Sequence, residues 1–293
     1  MEKEKNNMKK FLSFLLLSVV VLALAACGAD KEETNTSNSA ADEGDKSSEK
    51  TTLTVGASNG LHDLILEQAQ PILAEEGIDL VIEPYQDYVM PNQDLESGDL
   101  DANYFQHIPY LETEIADKGY DFVNAGGIHI EPMGIYSTKY KSLDELPEGA
   151  TIIFSNNPAE QGRFLSLLEA QGLIKLKDGI DKTAATLDDI VENPKKLNID
   201  VNSAPEMLVT YYEEGEGDAV VINSNFAIDA GINPMEDSIA IEGSESPYVN
   251  IIAVRAEDKD NKAIKRLVEV LHSDKIQQFI LDEWGGAVVP VNE

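Results

Sequence analysis

Residues 249–254 read VNIIAV, a run that is apolar except for Asn250 and has the length and β-branched content of a buried strand. Its place in the chain decides the fold. Ahead of it lie two successive α/β units. The first alternates strands at Leu53–Ala57, Ile78–Ile82, Leu100–Tyr104 and Phe122–Val123 with helices over 61–76, 91–97 and 108–118. Pro71 is expected to kink or break the first of these helices, and Gly77 and Gly98 are expected to stop the first two. After a strand at Met133–Ser137 (MGIYS), a second unit begins. It has strands at Thr151–Phe154, 197–201 and 218–222, and helices over 158–171, 205–214 and 224–230. VNIIAV then returns the chain to the first unit, followed by helices near 260–271 and 274–283. Strands alternating with helices predict an α/β fold of two lobes, each a mixed, mostly parallel sheet flanked by helices. Lobe 1 would comprise 52–137 plus 246–293, and lobe 2 would comprise 138–245. The segments that cross between them would form a hinge, with a ligand cleft beyond the carboxyl ends of the strands.

The charge balance narrows the function. Among 293 residues there are 54 acidic and 22 basic side chains, a formal net charge of -32. Phosphate backbones and anionic lipid surfaces both require a basic footprint, so nucleic acid and broad electrostatic membrane contact are excluded. Cys27 is the single cysteine, so there is no internal disulfide. The histidines His62, His107, His129 and His272 are scattered without metal-ligand spacing. His129 and Glu131 share a strand face, but two ligands are too few for a metal centre. No metal and no cofactor are expected. Nor does the chain contain a G-x-S-x-G elbow, a P-loop or a G-x-G-x-x-G turn, so it does not read as an enzyme.

Residues 8–29, MKKFLSFLLLSVVVLALAACGA, have a basic start, then an apolar run from Phe11 to Ala26 too short to span a bilayer as a helix. Leu24-Ala25-Ala26-Cys27 resembles the lipobox of bacterial lipoproteins. The resemblance implies that residues 1–26 are a signal peptide removed before Cys27, whose thiol then carries lipid. Residues 27–51 lack large apolar side chains and read as a flexible tether.

The folded part resembles the methionine-binding lipoproteins of the MetQ/NlpA type, solute receptors of ABC importers. The matching segments are DYVMPNQDLESGDLDANYFQHIPYL (87–111), KSLDELPEGATI (141–152), Gly162-Arg163, GLIKLKDG (172–179), VENPKKL (191–197), VIN (221–223) and ESPYVNIIAVR (245–255). The resemblance implies a type II periplasmic-binding-protein-like fold. It also implies capture of L-methionine or a related amino acid between the lobes, without chemistry on it. Delivery would be to a membrane permease with its ATPase subunit, from a lipid-anchored monomer on the extracytoplasmic face. A surface adhesin on the same frame, with no transport role, is the alternative.

A zwitterionic amino acid needs donors for its carboxylate, acceptors for its ammonium and an apolar slot. Asn157-Pro158-Ala159-Glu160 reads as N-cap, first helical residue and third-position Glu, which puts Arg163 in the second helical turn. A guanidinium near a positive helix end suits a carboxylate, although a surface Arg paired with one of the many acids fits the residues as well. The family Gly-Arg pair assigns Arg163 to the site. Asn223 and Asn250, at strand ends, are implied by the resemblance to touch the ligand's ammonium and carboxylate. Tyr88 and His107 are implied to surround its side chain. Tyr104 is placed beside them, where its bulk would narrow the slot, and alternation assigns Phe105 to the core. Where the family often reads PNDP(T/S)N, this chain has Ser155-Asn156-Asn157-Pro158-Ala159-Glu160-Gln161. Where the family has an Arg after VENPKKL, residues 203–210 (SAPEMLVT) have none. These departures leave room for a methionine-containing dipeptide or another amino acid. Glu131, near the hinge, is a further acceptor for an ammonium.

Overall fold

Two mixed sheets are built in sequence, and the chain returns to the first of them. The structure, a computed structural model, describes residues 50–243 and 246–291. The expected signal segment, Cys27 and nearly all of the tether lie outside those residues.

The first sheet has the order β13-β4-β12-β3-β1-β2. Its strands are β1 (Thr51–Ser58), β2 (Ile78–Tyr85), β3 (Ala102–His107), β4 (Phe122–Ile130), β12 (Val249–Arg255) and β13 (Val289–Pro290). The second sheet has the order β11-β5-β10-β6-β9. It contains β5 (Gly134–Tyr136), β6 (Thr151–Ser155), β9 (Asn198–Ser203), β10 (Ala219–Ile222) and β11 (Ala240–Ile241). A two-stranded ribbon pairs β7 (Lys175–Leu176) with β8 (Ile190–Glu192). Parallel pairing is confined to β2-β1-β3 and β9-β6-β10, and the other pairs in both sheets are antiparallel. The returning strand β12 causes much of this. It enters between β3 and β4 and runs against both.

The chain crosses from the first sheet to the second over residues 131–133, and back over the stretch between β11 and β12. Gly134–Tyr136, placed with the first lobe by the sequence, therefore pairs in the second sheet, against β10 and β11.

Helices cover both faces of each sheet. In the first, α1 (His62–Glu75), α8 (Lys262–Leu271) and α9 (Asp274–Trp284) bury Ile65, Leu66, Leu73, Leu267 and Ile276 against Val55, Tyr104, Ile252 and Val254. The opposite face packs Leu95 of α2 (Met90–Ser97) and Leu111 of α3 (Ile108–Lys118) on Phe122, Ile251 and Ala253. In the second sheet, α4 (Pro158–Ala170) buries Phe164, Leu165 and Leu168 on Ile152, Phe154 and Val221. Leu208 of α5 (Leu208–Glu214) and Ala227 of α6 (Ser224–Asp229) cover Ile153, Val220 and Ile222 on the other face. The short helix α7 spans Pro234–Asp237. No helix among the described residues is long and apolar enough to cross a membrane.

Two local expectations change for identifiable reasons. Helix α1 runs unbroken through Pro71, because Pro71 and Glu67 are both exposed and the carbonyl that loses its partner meets water. Strand β3 starts two residues later than read from sequence, since the Leu100 carbonyl is taken by Arg255 Nη1 at 2.6 Å. Gly98 does end α2, at a φ of 86° that only glycine adopts without strain.

Candidate ligand-binding site

The carboxyl ends of β3, β6 and β10 and the amino end of β12 meet around a cavity between the two sheets. Its first-lobe wall is Tyr88, Phe105, Gln106, His107, Tyr110 and Asn250. Its second-lobe wall is Asn157, Glu160, Arg163, Asn223, Ser224 and Asn225, and Glu131 of the first crossing segment closes the base. The structure thus brings together Tyr88, His107, Arg163, Asn223 and Asn250, five of the six ligand residues read from the sequence.

Tyr104 is the exception. Its side chain is wholly buried in the first-lobe core, on the α1 side of the sheet, and its hydroxyl donates to His129 Nδ1. Phe105 takes the place expected of Tyr104. The cause is a break in register on β3. Ile252 pairs with Tyr104 and Ile251 with Gln106, leaving Phe105 as an extra residue without a partner. The bulge resets the alternation, so that Asn103 and Gln106, three apart, both bond Asn92 of α2 (2.9 and 2.8 Å). Phe105 is turned toward Tyr88 and Tyr110, with ring centroids 6.1 and 5.9 Å away. Tyr88 also packs on Phe226 at 5.0 Å. Tyr110 was missed in the sequence, although its position three residues beyond His107, on the first turn of α3, places it beside that side chain.

His107 caps α3. Its Nδ1 accepts from the Tyr110 backbone N–H at 3.1 Å, so the neutral ring carries its proton on Nε2, 3.6 Å from Glu160 Oε1 in the other lobe. Two further bonds cross between the lobes. Tyr88 Oη donates to Asn225 Oδ1 at 2.6 Å, and Asn59 Nδ2 donates to Asp229 Oδ1 at 2.7 Å on the rim. The lobes therefore meet in a closed arrangement.

Helix α4 begins as its sequence implies, with Asn157 Oδ1 accepting from Ala159 N at 3.1 Å and Pro158 in the first turn. Gly162 lets this helix approach the segment 182–183: a Cβ there would lie 2.4 Å from the carbonyl oxygens of Lys182 and Thr183. Arg163 is 3% exposed. Its Nε and Nη2 donate to Glu242 Oε2 (3.0 and 2.6 Å), and Nη2 also reaches the Glu131 carbonyl (2.6 Å). The Tyr248 ring lies 4.7 Å from the guanidinium carbon. Burial lowers the pKa of Arg163, but Glu242 outweighs it and the net shift is upward, so the group is a permanent cation. Nη1 makes no hydrogen bond among the described residues.

Glu160, expected to cap its own helix, instead faces the cavity at 1% exposure. Its Oε1 accepts from Asn223 Nδ2, and its Oε2 has only long contacts, to Asn157 Nδ2 (3.3 Å) and Ser155 Oγ (3.5 Å). Burial pushes its pKa up, but His107, Arg163 and Asn223 hold it below the ordinary value, so it is ionised. Asn223 Oδ1 is buried without a hydrogen-bond partner among the described residues.

Beneath the cavity, Glu131 Oε1 accepts from His129 Nε2 at 2.8 Å and lies 3.1 Å from His62 Nε2, while Oε2 accepts from Asn225 N at 3.1 Å. His62 Nε2 is also 3.3 Å from Asn250 Oδ1. Burial opposes the charge on Glu131, but the two imidazoles overcome it and hold its pKa well below the usual carboxylate range. His62, His129 and Glu131 have the spacing of a three-ligand metal set. The protein's own groups account for the facing atoms without an ion: His129 Nε2 donates to Glu131 Oε1, His62 Nε2 lies between that oxygen and Asn250 Oδ1, and the second nitrogen of His129 accepts from Tyr104.

A model of the NlpA lipoprotein family matches residues 53–292. The chain is 48% identical to the methionine-binding lipoprotein MetQ of Bacillus subtilis, over 98% of this chain and all of that one. It is 38% identical to the D-methionine-binding lipoprotein MetQ of Salmonella typhi, covering 96% of this chain and 98% of the relative. Among solved structures, a nutrient-binding protein from Burkholderia cenocepacia bound to methionine superposes with a TM-score of 0.77 at 42% identity, covering 81% of this chain and 99% of that one. Family match and near-full-length identity agree with the two-lobe fold and its inter-lobe cavity: the chain is a member of the NlpA lipoprotein family.

Proposed function

We propose that this protein is the solute-binding component of an ABC importer, which captures L-methionine or a closely related amino acid between its lobes. The observation that carries the reading is the division of labour in the cavity: an aromatic slot on one wall, and on the other a cation, a carboxylate and amides set for an amino acid's charged end. Arg163 holds the ligand carboxylate, sharing its fork with Glu242 through Nη1, which makes no hydrogen bond among the described residues. Asn223 and Asn250 supply amide donors and acceptors. The thioether packs among Tyr88, Phe105 and Tyr110, each sulfur–ring contact contributing about 0.3–1.5 kcal/mol. His107 joins the lobes beside it. Contacts to both walls exist only when the cleft is shut, so binding energy favours closure.

Residues 1–26 are the signal segment, Cys27 is the lipid anchor, and the stretch up to β1 is the tether on the extracytoplasmic face. Lobe 1 comprises the first sheet and its helices. Lobe 2 is the second sheet, from β5 to β11. The monomer passes its ligand to a permease whose ATPase subunit supplies the energy. No residue of the cavity forms the nucleophile–base pair that catalysis on the ligand would use. Native mass spectrometry of the full chain, purified in detergent without refolding, tests the reading. A bound mass equal to methionine is expected. Protein that gains neither mass nor thermal stability with any amino acid or short peptide would overturn it.

A further inference from the structure

Two carboxylates line the cavity and a third, Glu242, bonds the lining residue Arg163; two of the three are already balanced. Glu242 is bonded to the Arg163 guanidinium, and Glu131 accepts from the His129 imidazole and a backbone N–H, with His62 Nε2 3.1 Å away. Glu160 is different. Its nearest charge-capable partner in the opposite lobe, His107 Nε2, stands off at 3.6 Å, and its own-lobe contacts to Asn157 and Ser155 are 3.3 and 3.5 Å. A charge-assisted bond to a carboxylate closes to about 2.7–2.9 Å, so this buried anion has unused capacity. Beside it lies a second unused acceptor. The bond from Asn223 Nδ2 to Glu160 fixes the orientation of that amide, because the reverse orientation would set two oxygens against each other. Asn223 Oδ1 is thereby left buried and without a hydrogen-bond partner among the described residues. Buried acceptors without donors are costly unless a ligand supplies the protons.

We infer that Glu160, acting with Asn223 Oδ1, selects ligands that carry a free, positively charged amine. The inference rests on the amino-acid reading above and goes beyond it by naming the residue that decides which methionine-like molecules enter. An ammonium offers three donors and one charge, which matches a carboxylate oxygen plus an amide oxygen. A hydroxyl in its place brings one donor and no charge, and an acylated nitrogen brings one donor and added bulk. Amino acids, or peptides with a free N-terminus at Glu160, fit. N-acylated and α-hydroxy analogues do not.

Calorimetric titration of the full chain in detergent with two probes tests this. The probes are L-methionine and its α-hydroxy analogue, in which a hydroxyl replaces the amine. In the wild type, methionine should bind at least about 100-fold more tightly. In Glu160→Gln, methionine should weaken by about 10- to 100-fold while the hydroxy analogue is unchanged or tighter, so that discrimination collapses. Equal loss of both probes in Glu160→Gln would assign the residue a structural role and overturn the inference, as would unchanged binding of both. A wild type that binds the two probes alike overturns it without any variant, which keeps the test decisive should Glu160→Gln fail to unfold cooperatively. A wild type that binds neither probe refutes the methionine reading itself, a pattern distinct from the others, and removes the inference with it.

Discussion

The two walls of the cavity are built on different principles. The first-lobe wall is largely aromatic: Tyr88, Phe105 and Tyr110 present ring surfaces, and polarity is confined to Gln106, His107 and Asn250. The second-lobe wall is charged and amide-rich, with Arg163 and Glu160 on one helix and Asn223 and Asn225 at the start of another. On the proposed function, one wall reads a side chain by shape, and the other reads a zwitterion by charge. Shape recognition degrades gently when one ring is trimmed. Charge recognition in a buried site fails abruptly, because the partner left behind is itself buried and ionised. The second lobe should therefore dominate affinity, and the first should tune selectivity.

Arg163→Ala provides the harshest test of that asymmetry. It removes the cation proposed for the ligand carboxylate and leaves Glu242, 15% exposed, without its partner. Truncating one partner of a buried charge pair costs about 2–5 kcal/mol of binding, about 30-fold or more in affinity, and stranding Glu242 costs folding stability as well. Calorimetry should show methionine binding lost, and thermal unfolding without ligand should shift downward. Affinity within a few-fold of the wild type would mean that the charged wall does not hold the carboxylate.

Acid should weaken the hinge next. Burial and the neighbouring His62 lower the pKa of His129 from its ordinary value of 6.5, even though Glu131 pulls the other way. The unfolded state then binds more protons below that value, so folded stability falls as pH drops beneath 6.5. Glu131 and Glu160 have folded pKa values below the ordinary 4.5, so the stability they contribute is present above 4.5 and is lost as pH falls below it. A tenfold difference in proton affinity between the folded and unfolded chain is worth about 1.4 kcal/mol. Chemical denaturation at a series of pH values should show a first decline below 6.5 and a steeper one below 4.5. Stability that is flat between 7 and 3 would contradict the charge assignments at the base of the cleft.

Much of this architecture is legible in the sequence. Element order along the chain, the return through VNIIAV and the Asn157-Pro158 cap are local patterns, and local patterns survive folding. Five of the cavity-lining residues came from motif resemblance rather than from periodicity. What escaped depends on pairing between distant strands. The bulge that turns Phe105 into the cavity exists only because β12 enters antiparallel beside β3, a contact some 145 residues away in sequence. Glu160 was read correctly as a first-turn acid, but its rotation toward Asn223 depends on the end of another strand. Gly134–Tyr136 was assigned to the wrong sheet because a strand of three residues has no sequence signal for its partner.

The bulge supplies the finest test of the comparison, because it separates two adjacent aromatic residues by role. Phe105→Ala removes a ring from the slot, and Tyr104→Phe removes only a hydroxyl behind it. For Phe105→Ala, methionine affinity should fall by about 10-fold, in line with the loss of a buried aromatic anchor of roughly 1–2 kcal/mol, while ligands with smaller side chains lose less. For Tyr104→Phe, the His129 ring loses the donor to its Nδ1 inside the core. That should cost about 1 kcal/mol of folding stability with affinity nearly unchanged. Competition binding and thermal unfolding on both variants separate the two effects. If Tyr104→Phe shifts ligand preference while Phe105→Ala does not, the alternation runs through the strand unbroken, the bulge is absent in solution, and the aromatic wall must be redrawn around Tyr104.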